Sequence, residues 1–293
     1  MTKVGYVAIV GRPNAGKSTL INALIGERVS AISPRPQTTQ RSIPGIFTDE
    51  AKEMQIIFLD TPGIHHDGSD QFGSQKNVSI NTRINSEAFA SLREADVILR
   101  LVDPTRPVGA EDDRIDEVLS FSQVPVIRVE TKQDLDCKSY PCKDVDIKID
   151  SINKIGFDEL IEKIREKLPE GPFLYDADQY TDQSMELRIQ EVIREQLFAE
   201  LGDEIPYACY VEVGSIENGE TLLSTQVYIN TESESQKIIV VGKGGKKIGD
   251  IGTKARLILE EIFGKKVFIG LRVKVVKNWR KNEKILNRLF PKK

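Results

Sequence analysis

Hydrophobic positions in the first half of the chain come in unbroken bursts rather than in alternation. "VGYVAIV" at 4–10, "MQIIFLD" at 54–60, "ADVILRLVD" at 95–103 and "VPVIRVE" at 124–130 are the clearest. Such runs suit strands buried on both faces, as in a parallel sheet. Between them the period changes. "STLINALIG" at 18–26 sets Leu20, Ala23 and Leu24 on one helical face, and "EDDRIDEVLSFS" at 111–122 reads as a second helix. "VDIKID" at 145–150 adds a strand, and "GFDELIEKIREKL" at 156–168 aligns Phe157, Leu160, Ile161 and Ile164 as a further helix. Strand and helix in alternation predict an α/β fold with a doubly wound, mostly parallel sheet.

The pattern then breaks. "PEGPFLYDADQYTDQS" at 169–184 mixes proline, glycine and aromatics without a period, which marks a boundary. An amphipathic helix follows at 182–201, capped by Asp182 or Ser184. Two alternating strands, "YACYVEVGSIE" and "TLLSTQVYIN", are joined as a hairpin around Asn218-Gly219. A helix at 247–264 and a strand at 266–276 close the pattern, while "IIVV" at 238–241 reads by itself as one more strand. The expected division is a first domain at 1–170, a linker at 171–183 and an α+β second domain at 184–293.

Composition narrows the class. With 293 residues, 39% hydrophobic and 29% charged, two globular domains are expected. No apolar stretch is long enough to span a bilayer. "MTKVGYVAIVGRP" reads as the first strand of a fold rather than a signal peptide. Cys137, Cys142 and Cys209 are too few for a disulfide framework or a zinc site, which points to a reducing, cytoplasmic setting. The net charge of -4 hides a division: residues 236–293 carry 17 Lys and Arg against 4 Asp and Glu, and the rest of the chain is strongly acidic. A basic end of this kind predicts contact with nucleic acid or another anionic surface.

The chemistry lies where the apolar runs stop. After the first comes Gly11-Arg12-Pro13-Asn14-Ala15-Gly16-Lys17-Ser18, a match to G-x-x-x-x-G-K-[ST] between a strand and a helix. Backbone N–H groups at that helix start suit a phosphate. Lys17 would reach the β- and γ-phosphates, and the Ser18 hydroxyl would ligate Mg²⁺. The second run ends in Asp60-Thr61-Pro62-Gly63-Ile64. Asp60 can hold Mg²⁺ through water, and the Gly63 N–H can meet the γ-phosphate. A third run ends in Thr131-Lys132-Gln133-Asp134, which resembles the guanine-reading [NT]-K-x-D motif. Asp134 would accept hydrogen bonds from guanine N1 and its amine, and the Lys132 stem would lie along the base. Ser151, after the last strand, falls where a backbone N–H supports guanine O6.

Three such motifs in order identify a GTPase, with GTP as substrate and GDP as product. The polar segment 28–43 takes the place of switch I, with Thr39 as the residue sensing Mg²⁺ and γ-phosphate and Thr38 beside it. Segment 64–82 takes that of switch II. The expected catalytic set is Lys17, Thr39, Asp60 and Gly63; the metal set is Ser18, Thr39 and Asp60. Ile64 stands where Ras-like GTPases carry a water-orienting Gln, so slow intrinsic hydrolysis is expected. Asn14 resembles the P-loop asparagine of potassium-stimulated GTPases, which makes K⁺ a candidate cofactor. His65 and His66, the only histidines, diverge as neighbours must and read as exposed loop residues.

Gly242-Lys243-Gly244-Gly245 is a different loop, without the G-K-[ST] ending. It fits the GXXG signature by which KH domains clamp a nucleic-acid backbone, with Lys243, Lys246 and Lys247 to neutralise phosphates and an apolar groove to receive bases. The element order is similar to that of a type II KH domain, and this resemblance makes "IIVV" the end of a short helix.

A GTPase followed by a KH domain resembles the Era family of bacterial ribosome-assembly GTPases over essentially the whole chain. "SPRPQTTQR", "DTPGIH", "YTDQS", "ESESQKIIVVGKGGKKIGDIGTKAR" and "LRVKVVKNW" carry the likeness. Thr131 in place of Asn and Asp150 in place of Ser depart from it, both around the guanine. The resemblance implies a monomer that binds the 3′ end of 16S rRNA on the maturing small (30S) subunit under GTP control. It also implies peripheral association with the cytoplasmic membrane. A tRNA-modification GTPase would need a longer helical chain, and a tandem-domain relative two P-loops. An RNA-binding protein using nucleotide only as a structural ligand is the alternative, and intact Lys17, Ser18, Asp60 and Asp134 speak against it. A membrane scaffold would need an anchor; in "WRKNEKILNRLF" at 279–290, Trp279 and Leu286 are expected to pack on their own domain instead.

Overall fold

The computed structural model describes residues 1–31, 43–61, 80–135, 140, 144–202 and 204–290, the side chains of 80–82 and 85–87 aside. Thr39, Pro62, Gly63, Ile64, both histidines, Cys137 and Cys142 lie outside the described residues. The chain divides into two compact units, Met1–Asp182 and Gln183–Lys293.

In the first unit, β1 (Lys3–Val10), β2 (Ile43–Asp49), β3 (Met54–Asp60), β4 (Val97–Val102), β5 (Val126–Glu130) and β6 (Ile147–Lys148) form one sheet in the order β2-β3-β1-β4-β5-β6. Only β2 against β3 is antiparallel. Alternate β1 residues serve opposite faces. Val7 and Ile9 pack with Leu20 and Ile21 of α1 (Lys17–Ile25), and with Leu160 and Ile164 of α4 (Phe157–Arg165). Ala8 and Val10 pack with Ala88 of α2 (Ile80–Glu94), and with Ile115 and Leu119 of α3 (Ala110–Ser120). Burial on both faces is why these strands read as unbroken apolar runs. The strand at "VDIKID" shrinks to two residues, because Asp150 turns the chain instead of extending it.

The segment after 170 is tied to this unit. Gln55 accepts from the backbone of Leu174 and Tyr175, Tyr180 O accepts from Ile46 N, and Thr181 Oγ1 donates to Pro44 O. Phe173 and Tyr175 pack over Val4, Ile57 and Leu59.

The second unit opens with α5 (Met185–Glu200), capped by Ser184, whose Oγ accepts from Leu187 N at 3.2 Å. β7 (Tyr210–Asn218) and β8 (Leu222–Thr231) make the hairpin. β7 starts later than its sequence pattern, since Pro206–Ala208 forms a 3₁₀ turn. Then come α6 (Glu234–Val241), α7 (Lys246–Phe263), β9 (Lys266–Val275) parallel to β8, and α8 (Glu283–Leu289). The helix at "IIVV" is set by a capping box: Ser233 Oγ accepts from Gln236 N, and Gln236 Oε1 accepts from Ser233 N. Val240 of α6 joins Ile193, Leu197, Val227, Ile251 and Leu259 in the core. Trp279 and Leu286 are fully buried, and Trp279 Nε1 donates to Ala208 O at 3.0 Å. The C-terminal segment therefore folds onto its own unit.

Candidate nucleotide and RNA sites

All the parallel strands of the first sheet end at one edge, and the motifs follow those ends. This is where an open α/β sheet binds ligands. The P-loop turns back on itself between Val10 and Lys17. Gly16 adopts φ 96° and starts α1 in the left-handed region, which glycine tolerates without cost. Gly11 is fixed by space: a Cβ there would stand 3.0 Å from Leu101 O. Asn14 is exposed at φ 64°. Ala15 is buried beneath the loop.

Ser18 Oγ donates to Asp60 Oδ2 at 2.8 Å, so residues from two motifs 42 positions apart meet at one point. Thr61, the next residue, donates its hydroxyl to Ile9 O at 2.6 Å. Lys17 Nζ is turned onto Gly11 O (2.9 Å) and Arg12 O (3.0 Å). By surface area the residue is only half-buried, but its ammonium is enclosed by the loop. That enclosure lowers its pKa to about 8, with Arg100 adding to the shift and Asp60 and Glu111 opposing it.

The guanine-reading loop is joined to the P-loop. Thr131 Oγ1 lies 2.9 Å from Ala15 O and 3.2 Å from Val102 O, and donates to them. Lys132, at φ 57°, directs Nζ to Asp103 Oδ2 at 2.7 Å. Gln133 Nε2 donates to Glu130 Oε1 at 2.9 Å, and Asp134 is exposed. Asp150 turns inward beside Ser151: its carboxylate accepts from the backbone and side chain of Asn153 and from Ile152 N. Those bonds, the Asn153 backbone first, hold its pKa below the usual carboxylate range against the opposing effect of burial.

Two supports escaped the sequence reading. Arg12 donates from Nη1 to Asp112 Oδ2 and to Pro107 O, both at 2.7 Å. Asp112 also accepts from Arg100 Nη2 at 2.8 Å, and Arg100 is buried inside β4. Breaking such a buried pair by removing one partner costs ~3–5 kcal/mol. The signal was an arginine inside the apolar run "VILRLV", which has to be paired somewhere. The other support is Asp103, an acid closing a buried strand at the same edge as Asp60.

In the second unit, Gly242 (φ 74°), Gly244 (φ 61°) and Gly245 (φ 78°) all occupy left-handed backbone space between α6 and α7. Lys243 and Lys246 are exposed, Lys247 half-buried, and Gly245 caps the start of α7. A Cβ at Gly244 would meet nothing within 4 Å, so that face of the loop is open. Ile238 is 70% and Ile239 41% exposed on the turn just before it, an apolar surface beside a cationic loop.

The chain is similar to known proteins along its whole length. The family described as 50S ribosome-binding GTPase matches residues 6–132, and the KH domain family matches 204–280. GTPase Era of Borrelia garinii subsp. bavariensis is 39% identical, covering 98% of this chain and 99% of that protein. GTPase Era of Thermoanaerobacter pseudethanolicus is 42% identical, covering 98% and 96%. Aquifex aeolicus Era, crystallised with GDP and AlF4⁻, superposes with a TM-score of 0.88 at 35% identity over 99% of both chains. An Era solved with MgGDPNP and nucleotides 1506–1542 of 16S ribosomal RNA gives the same 0.88 and 35%, again over 99% of both. A P-loop GTPase unit and a KH unit in one chain, matched end to end by these relatives, make this protein a member of the Era family of GTPases.

Proposed function

We propose that the protein is a GTP-hydrolysing switch that binds the 3′ end of 16S rRNA through its KH unit and assists maturation of the small ribosomal subunit. The observation that carries the RNA half is the loop Gly242–Gly245: three left-handed glycines and an open face, flanked by exposed lysines and by Ile238 and Ile239. A backbone phosphate can approach such a loop closely, and bases can rest on the apolar turn beside it. The broad family description names the 50S particle, but the relatives matching nearly the whole chain are Era proteins. The RNA held by one of them is a 16S fragment.

For the nucleotide half, residues 11–18 would hold the phosphates, and Thr131 to Asp134 with Ser151 would hold guanine. The Ser18–Asp60 pair fits Mg²⁺: two oxygen donors, one of them a carboxylate, suit a hard cation. Mg²⁺ bound there would neutralise charge building on the phosphate oxygens. Lys17 would add positive charge to the same oxygens, and Thr39 and Gly63 complete the assignment as γ-phosphate sensors. In this reading the protein works in the cytoplasm, on the ribosome. Among the described residues no helix is long and apolar enough to cross a membrane.

Replacing Gly244 tests the RNA half. Gly244→Asp sets a carboxylate against phosphate on a backbone that disfavours a side chain. Affinity for a 16S 3′-end oligonucleotide should fall more than about tenfold, ~1.4 kcal/mol. GTP affinity measured without RNA should stay within about twofold, since the nucleotide motifs belong to the other compact unit. RNA binding at the wild-type level would make the loop a structural turn and sink the assignment.

A further inference from the structure

Asp103 follows β4 with its carboxylate fully enclosed, yet it belongs to none of the sequence motifs. Four groups converge on it. Lys132 Nζ lies 2.7 Å from Oδ2, and Arg106 Nε forms an ion pair at 3.4 Å. The Thr105 N–H and hydroxyl reach Oδ1 at 3.0 and 2.6 Å. Burial pushes the carboxyl pKa up, but the hydrogen bonds from Lys132 and Thr105 outweigh it and leave it below its ordinary value. The charge is therefore held in place, as a buried charge must be when it is kept.

Both partners lead to the nucleotide. Arg106 Nη2 donates to Pro13 O of the P-loop at 2.8 Å. Lys132 sits in left-handed space at φ 57°, which costs a side-chain-bearing residue ~1–2 kcal/mol and needs a compensating contact. Its ammonium finds that contact in Asp103. Asp134 stands two residues further along the same loop, so the backbone fixed at Lys132 sets where the Asp134 carboxylate points.

We infer that Asp103 is a positioning residue for guanine recognition: it anchors Lys132, presets the loop carrying Asp134, and through Arg106 registers that loop against the phosphate-binding loop. This rests on the reading above that Lys132 and Asp134 meet the base. A residue serving only stability would change melting temperature and leave base selectivity alone.

The test uses the full chain with GDP and with IDP, which lacks the 2-amino group that Asp134 would read. Asp103→Asn keeps the shape and removes the charge. GDP affinity should drop by about tenfold or more, and the GDP/IDP ratio should shrink, because only a well-placed carboxylate discriminates. Lys132→Met should show a similar loss, and adding Asp103→Asn to it should cost less than about twofold further, the mark of one shared interaction. A folded Asp103→Asn protein with GDP affinity and GDP/IDP ratio near wild type overturns the proposal. If that variant does not fold, Arg106→Gln decides: a loss of about threefold in GDP affinity with a smaller GDP/IDP ratio supports the proposal, and an unchanged ratio overturns it. Asp134→Asn separates the two levels. If it leaves the GDP/IDP ratio unchanged, the guanine reading itself has failed; if it abolishes the preference while Asp103→Asn does not, only the positioning role has failed.

Discussion

Lys17 donates to two carbonyls of its own loop, and burial lowers its pKa to about 8, with Arg100 reinforcing and Asp60 and Glu111 resisting. A nucleotide brings phosphate oxygens to the same place, and they favour the charged ammonium. Free protein should thus lose the Lys17 proton near pH 8, while the complex keeps it to higher pH. Below pH 8 both states are protonated, and affinity for GDP should be flat. Above it, binding must also take up a proton, so affinity should fall by up to about tenfold per pH unit. Calorimetry at pH 8.5 in two buffers of different ionisation enthalpy would detect that uptake directly; no uptake would contradict the account of Lys17. Other single residues show where the sequence stopped being readable. Thr131 and Asp150 read as departures from the family pattern around the guanine. Folded, the Thr131 hydroxyl reaches Ala15 O, 116 positions away, and Asp150 caps a turn at Ile152 and Asn153. A hydroxyl's or carboxylate's partner is chosen by tertiary neighbours, and those are not visible in a string of residues.

At the scale of elements, periodicity carried most of the way, because both faces of the first sheet are covered and strands β1, β3 and β4 are largely apolar. It misled at "IIVV", four β-branched residues that suit a strand. The capping box Ser233-x-x-Gln236 wins there, together with the burial of Val240 on one helical face. The same helix leaves Ile238 and Ile239 outward, next to Gly242. If these residues carry bases while the lysines carry phosphates, the two kinds of variant should separate. Lys243→Ala removes about one phosphate contact, so the slope of log affinity against log salt should become shallower by roughly 0.7 for a single strand. Preference for the 16S 3′-end sequence over a scrambled one should hardly move, since phosphate contacts position and base contacts specify. A salt series on both oligonucleotides checks this, and a lost preference with an unchanged slope would reverse the two roles.

For the whole molecule, the division of charge is the feature composition alone announced: an acidic nucleotide unit and a terminal segment with 17 Lys and Arg against 4 Asp and Glu. The motifs at both ends were legible because each needs a fixed spacing on a local stretch of chain. What links the ends was not, since coupling depends on which contacts differ between nucleotide states. A switch needs its two ligands to bias one equilibrium, commonly by ~1–3 kcal/mol, or 5–150-fold in affinity. By reciprocity RNA must then tighten GTP binding by the same factor. The most direct measurement is the affinity of the full-length protein for the 16S 3′-end oligonucleotide, at fixed salt, with a non-hydrolysable GTP analogue and with GDP. The account predicts binding at least about fivefold tighter with the analogue. Equal affinities in the two states would contradict it, leaving a GTPase and an RNA-binding unit that share a chain without a switch between them.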